Sequence, residues 1–368
     1  MLIRLNQPAI SRSLRTVLEE PLDQPRSLLE FQRDFPDDAA CVRYLAGRRW
    51  PTGFVCPACG ATRAYELAER RLWQCTACRQ QTSLTAGTVL HGTRLPLITW
   101  FWAMYLAATL NTGISARQLR KQLGLRRYET AWMLLQKIRL AMVNPERERL
   151  SGEVEIGVTW VGGSQDGYRP GRSPTDRKAL RVAMAVEHHG HILGRLRMEV
   201  IRDASGATLT EFVLRNVAPG SILHSDTWAG FNRLLVGGYR HQPRSARAIR
   251  KAGDEVSLVP GVHRVVSNLK TWLRGTHRGV GADHLERYLE EFVFRFNRRF
   301  YPMAAFDTLL GLTSKIEPTA YAELRGPRPG DGSPRRRGRA TGLTQLDRRA
   351  ARRRALGRTR PDHPVGAD

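Results

Sequence analysis

Two tight pairs of cysteines and one acidic residue at the end of a short apolar run are the groups in this chain whose types and spacing could do chemistry. Cys56-Pro-Ala-Cys59 and Cys75-Thr-Ala-Cys78 are separated by fifteen residues. Each C-x-x-C closes a knuckle that brings two thiolates to one cation, and two knuckles supply the four tetrahedral ligands of a structural zinc site. With thiolate at every position no place is left for water, so the expected Zn²⁺ is architectural; redox-active dithiols are the other chemistry open to such pairs. Further on, Ile222-Leu223 delivers a single carboxylate, Asp226, to a strand end. There it could hold a divalent cation against a substrate or, more simply, cap the segment beginning at Trp228. A third stretch, from Pro260, carries His263 and Lys270, seven residues apart. Seven helical steps of ~100° put that pair on one face, as a ligand with a phosphate-binding cation or as surface residues. Asn268 lies two steps from Lys270, on another side of the same helix, and is a fourth catalytic candidate.

The elements that must position these groups are legible in order. Residues 1–26 read as a poorly ordered lead-in. Residues 27–92 read as a helical entry, broken at Pro36 and carrying Cys41 as a buried small hydrophobe, followed by a zinc ribbon whose hairpin is ATRAYELAERRLWQ. In residues 93–145 Leu97, Trp100, Phe101, Met104 and Tyr105 recur at helical spacing and predict core. The stretch from Gly113 through Gly124 to Trp132 has the phrasing of a helix-turn-helix, or of an ordinary helical hairpin with solvated charges. Arg117, Arg120, Lys121, Arg126, Arg127 and Lys137 are its candidate DNA contacts. Past Asn144-Pro145 the period changes to two: strands are predicted over 153–161, 178–186 and 191–201, a helix over 207–215, a strand ending at Asp226 and a helix from Trp228. Three meandering strands, a helix, a fourth strand and further helices make an α/β domain with the order of a ribonuclease H-like fold, over 150–315. Its metal site belongs on the first and fourth strands and a late helix.

Composition narrows the partner. The 59 Lys and Arg against 34 Asp and Glu give a formal charge of +25 and a pI near 11.0. So basic a protein has a polyanion as its natural partner, nucleic acid first and a membrane surface a distant second. No run approaches the ~20 apolar residues of a membrane span. The opening MLIRLNQPAISRSLR lacks a signal-peptide core, so a cytoplasmic protein is expected. Between Arg335 and Arg360 stand eleven arginines with no apolar period. Residues 325–368 therefore read as a disordered tail, either clinging to DNA phosphates or devoid of function.

The chain resembles bacterial insertion-sequence transposases of the zinc-ribbon class with an ISXO-type DDE domain. The likeness runs from about Pro21 to about Leu312. It is carried by the double C-x-x-C, by Trp160-Val-Gly-Gly163, by Asp226-Thr-Trp, and most specifically by His263 through His277 and His284 through Arg299. The resemblance implies DNA cleavage and strand transfer by two Mg²⁺ ions held roughly 4 Å apart. The expected partners are double-stranded DNA, as terminal inverted repeats and target, and further copies of the chain. Asp226 matches the family's second carboxylate, His263 its third ligand and Lys270 the lysine that follows. Where the family places an Asp-Glu pair before the Thr-aromatic-x-Gly-Gly run, this chain has Gly157 and Val158. Glu155 and Glu153 share the face of residue 157, but Glu155 sits roughly 6.6 Å back along the strand. One reading is therefore a transposase by descent with impaired catalysis. A non-catalytic DNA-binding remnant and a zinc-ribbon nuclease or regulator are the alternatives.

Overall fold

Capping side chains set the first two helices of the computed structural model. Ser27 Oγ accepts from the Glu30 N–H at 3.2 Å to start α1 (Leu28–Asp34), and Asp37 Oδ1 accepts from the Ala40 N–H at 2.8 Å to start α2 (Asp38–Arg49). Pro36 lies in the break between them, and Cys41 is buried. The structure describes residues 27–324 except 68, 69, 71, 163–178, 245–258, 314, 315, 321 and 322; the lead-in, the arginine-rich tail and Gly163 lie outside the described residues.

The ribbon is a three-stranded antiparallel sheet of β1 (Ala64–Leu67), β2 (Leu72–Cys75) and β3 (Gln81–Ser83). Three helices follow, α3 (Leu97–Thr109), α4 (Ala116–Gln122) and α5 (Tyr128–Ala141), the last two joined through Gly124 at φ +62°. Leu97, Trp100, Phe101, Met104 and Tyr105 are all buried, as their spacing predicts. The second half is a five-stranded sheet in the order β6-β5-β4-β7-β8. Its strands are β4 (Glu153–Val161), β5 (Leu180–His189), β6 (Ile192–Ile201), β7 (Ile222–Ser225) and β8 (Arg240–Pro243). β4, β5 and β6 pair antiparallel, and β7 and β8 add on parallel to β4. Period-two alternation along β5 sends Val182, Met184 and Val186 into a core with α7 (Pro260–Gly275) and α8 (Leu285–Asn297), and Ala183 and Ala185 into a core with α6 (Gly206–Asn216) on the other face.

Three features depart from the sequence expectations. β5 runs on to His189 through a two-residue Gly190-His191 hairpin, beyond the predicted end at 186. The predicted helix from Trp228 is 3₁₀ over Ala229–Gly237 and leads into β8, a short polar edge strand with no alternation to reveal it. Finally, α9 (Pro302–Thr313), inside the 150–315 segment, buries Phe306, Leu309 and Leu310 against Phe31, Phe101 and Met104 of the N-terminal core. Helical periodicity marks an apolar face but not which core receives it.

A buried ionic contact ties the two halves together. Arg139 of α5 donates from Nε to Glu291 Oε2 of α8 at 2.7 Å, both side chains are 1% exposed, and the Arg139 guanidinium lies 3.8 Å from the centre of the Tyr288 ring. Glu291→Ala leaves that guanidinium buried without its carboxylate. It is expected to cost about 3–5 kcal/mol of stability. The measurement is urea unfolding; Arg139→Met combined with Glu291→Met should recover most of the loss.

Candidate functional site

The four cysteines come together as their spacing requires. Each knuckle is closed by a backbone hydrogen bond, from the Gly60 N–H to the Cys56 carbonyl at 2.9 Å and from the Arg79 N–H to the Cys75 carbonyl at 3.1 Å. Both turns place a residue in the left-handed region, Gly60 at φ +72° and Arg79 at φ +62°. All four Sγ atoms lie within 4.8 Å of one another, with Cys56–Cys78 and Cys59–Cys75 at 3.6 Å. Tetrahedral zinc thiolates at ~2.3 Å would stand about 3.8 Å apart, so the cradle fits that ion. A disulfide, at about 2.05 Å, does not describe it. The amide of Cys78 first, then that of Ala77, holds the Cys75 thiol down at about 7 against its burial.

The second site is built at the middle of β4 and the C-terminal end of β7. The parallel register pairs Glu155 with His224; continued by two residues, it brings Gly157 level with Asp226. Adjacent strands stand about 4.8 Å apart, so a carboxylate at residue 157 would be Asp226's nearest acidic neighbour. In this chain the place is filled from the other side: a Cβ on Gly157 would lie 2.7 Å from Cγ1 of Val262, in the first turn of α7. Val158 points to the opposite face and packs against the α6 core, so a glutamate there could not join Asp226.

Glu155, the acid on the right face, is already committed. It is 1% exposed; its Oε2 accepts from the Val262 N–H at 3.0 Å, and its Oε1 lies 3.2 Å from His188 Nε2 and 3.6 Å from an Arg244 guanidinium nitrogen. Burial alone would push its carboxyl up. The nearby His188 ring, the Val262 hydrogen bond and the Arg244 charge outweigh that and hold it below the usual range. It caps the α7 N-terminus, and the fit depends on Gly261, where a Cβ would meet His188 at 2.7 Å and Glu155 at 2.9 Å.

Asp226 itself accepts from the Trp228 N–H through Oδ1 at 3.1 Å, an Asx turn ahead of the 3₁₀ segment, whose N-cap is Trp228 without a side-chain hydrogen bond. On α7 the buried face is Val262, Val265, Leu269, Trp272 and Leu273. His263, exposed, and Lys270, half-buried and pushed down by burial and then by Arg274, lie along one flank of that face. Asn268 lies on the other flank and lines a cleft toward α4 and α5, away from Lys270. Among the described residues the cysteine cradle is the only group of three or more His, Cys, Asp or Glu side chains placed to hold a metal. One carboxylate and an imidazole do not fit a pair of hard cations that take oxygen ligands.

Of the basic candidates, Arg117, Lys121, Arg126 and Arg127 are exposed, whereas Arg120 and Lys137 are half-buried, and burial pushes Lys137 down. Sequence reasoning missed the His188, His224 and Arg244 surroundings of Glu155, which only strand register assembles.

Comparison with known proteins finds matches in both parts of the chain. Residues 149–297 match an ISXO2-like transposase domain and residues 36–81 a transposase zinc-ribbon domain. An uncharacterized protein in transposable element ISH50 of Halobacterium salinarum is 31% identical over 132 residues, 35% of this chain and 44% of that protein, so the match spans less than half of the relative. A chain of a pre-cleavage Mos1 transpososome aligns over 56% of this chain and 76% of its own at 9% identity, with a TM-score of 0.23, too distant to bear on the fold. Residues 149–297 are thus an ISXO2-like transposase domain and residues 36–81 a transposase zinc ribbon, the two parts of the insertion-sequence transposases that this chain resembles.

Proposed function

We propose that this chain is a transposase by descent, one that binds the terminal inverted repeats of its element and target DNA but has lost most of its capacity for Mg²⁺-dependent cleavage and strand transfer. The observation that carries this reading is the packing of Val262 onto Gly157, level with Asp226, with Glu155 spent on capping α7. The strand order β6-β5-β4-β7-β8 supports a ribonuclease H-like domain, whose cleavage depends on carboxylates that this chain lacks at residues 157 and 158. Four thiolates at tetrahedral spacing support one structural Zn²⁺ per chain. The +25 charge and the exposed arginines of α4 and its turn support a double-stranded DNA partner, bound through residues 27–143. Synapsis of two element ends calls for a homo-oligomer, and the work is cytoplasmic; no helix among the described residues is long and apolar enough to cross a membrane.

The test measures binding and nicking together on duplexes carrying the element's ends. Binding is expected, falling steeply with salt as phosphate contacts release counterions. Nicking with Mg²⁺ or Mn²⁺ is expected to stay at background. Deleting residues 325–368 should flatten the salt dependence while sparing preference for the ends. Robust metal-dependent cleavage by the unaltered chain overturns the reading, and loss of preference on deletion moves recognition out of residues 27–143.

A further inference from the structure

Between the helical segment and the α/β domain lies a cleft of about 1260 Å³, whose walls come from α4 and α5 on one side and from α7, α8 and their connection on the other. Drug-sized pockets occupy about 300–1000 Å³, so it has room for more than one nucleotide. Its lining includes Arg117, Arg120 and Arg278 and no aspartate or glutamate. Among the described residues none of these arginines has a carboxylate partner. A smaller cavity of about 230 Å³ adjoins it, shares Asn111, Asn268 and Trp272 with it, and is likewise lined without an acidic side chain.

The rings in this cleft form an edge-to-face series. Trp272 and His277 have centroids 4.7 Å apart, His277 and Tyr288 4.8 Å, and Trp132 and His284 5.3 Å. Tyr128 stands at the rim, 47% exposed. Three ring nitrogens in this series are buried without a hydrogen-bond partner: Trp272 Nε1, His277 Nε2 and His284 Nδ1. Trp272 is only 7% exposed. Buried polar atoms are ordinarily satisfied, so three on one lining point to a ligand with donors and acceptors. Burial pushes His277 down to about 4 and lowers His284 as well, so near neutral pH both rings are uncharged and can accept or donate according to tautomer.

We propose that this cleft is a single-stranded DNA site that takes unpaired bases against Tyr128 and Trp132 and their phosphates against Arg117, Arg120 and Arg278. In duplex DNA the Watson–Crick edges are already occupied by pairing, so only groove edges remain. Unpaired bases leave those edges free, and stacking on aromatic side chains beside arginines is the general means of holding a single strand. The proposal rests on the DNA-binding reading above and extends it by naming a second DNA form and a cleft that borders the duplex-binding face at Arg117 and Arg120.

The test uses the full chain with its zinc, at a salt concentration that suppresses general phosphate binding. A thymidine 12-mer and a hairpin duplex serve as probes, read by fluorescence anisotropy. Tyr128→Leu, and separately Arg278→Gln, alter exposed side chains outside the proposed duplex contacts. Each is expected to weaken the single strand about tenfold and the duplex much less. Equal losses on both probes, or no loss on the single strand, overturn the proposal. Photo-crosslinking of a 5-iodouracil single strand to the unaltered chain gives a second readout: adducts on Tyr128 or Trp132 support the site, and adducts confined to residues 325–368 overturn it. A chain that binds the single strand in this cleft yet fails to bind element ends would refute the functional reading alone.

Discussion

Gly157→Asp combined with Val262→Ala is expected to switch on Mg²⁺- or Mn²⁺-dependent nicking of DNA carrying the correct ends. Gly157 is level with Asp226 on the neighbouring parallel strand, so an aspartate there sets two carboxylates side by side. Val262 has to shrink in the same variant because its Cγ1 would lie 2.7 Å from the new Cβ, and a buried β-branched side chain in the first turn of a helix cannot swing away. Gly157→Asp alone should therefore lose stability and gain little activity. Val158→Glu, which the family pattern suggests, should not help, because residue 158 faces the α6 core. A metal-assembled site is worth several kcal/mol of barrier, and about 1.4 kcal/mol is tenfold, so the gain should reach about a hundredfold or more. Asp226→Ala in the double variant should abolish it. Nicking that persists without Asp226 would place the chemistry elsewhere in the chain.

Stripping zinc, or replacing Cys75 by serine, is expected to unfold residues 50–85 while leaving the five-stranded sheet intact. The ribbon buries little of its own: Trp73 and Leu84 are its main apolar contributions, and β3 is three residues long. So small a unit takes its folding energy from the metal, about 10–16 kcal/mol of apparent binding free energy for structural zinc near neutral pH. The consequence should reach α2, since Arg49 donates to the carbonyls of Leu84 and Ala86 at 2.7 and 2.8 Å and Trp50 packs on Trp73 with centroids 5.0 Å apart. A chelator titration followed by limited proteolysis should show cleavage within 50–85 first. Metal analysis should find one zinc per chain. Protein purified without zinc, or Cys75→Ser with undiminished zinc, contradicts the assignment.

The sequence by itself determined what local spacing can determine. Two C-x-x-C pairs close two knuckles whatever the rest of the chain does, because a few residues and one backbone hydrogen bond set the geometry. Period-two runs marked β4, β5 and β6 to within three residues, and helical spacing marked the buried face of α3. The strand end at Asp226 and the gap at Gly157 were also visible, as was the separation of Asn268 from the His263–Lys270 flank. What no local pattern carries is which side chain faces which across elements distant in the chain. Only strand register could set Gly157 level with Asp226 and assemble His188 and Arg244 around Glu155. Only the docking of α7 put Val262 into the space that the missing Cβ leaves, and only the return of α9 to the N-terminal core together with the Arg139–Glu291 contact joined the helical segment to the α/β domain. Contacts between residues tens of positions apart or more depend on packing and register, and residue type at a single position encodes neither.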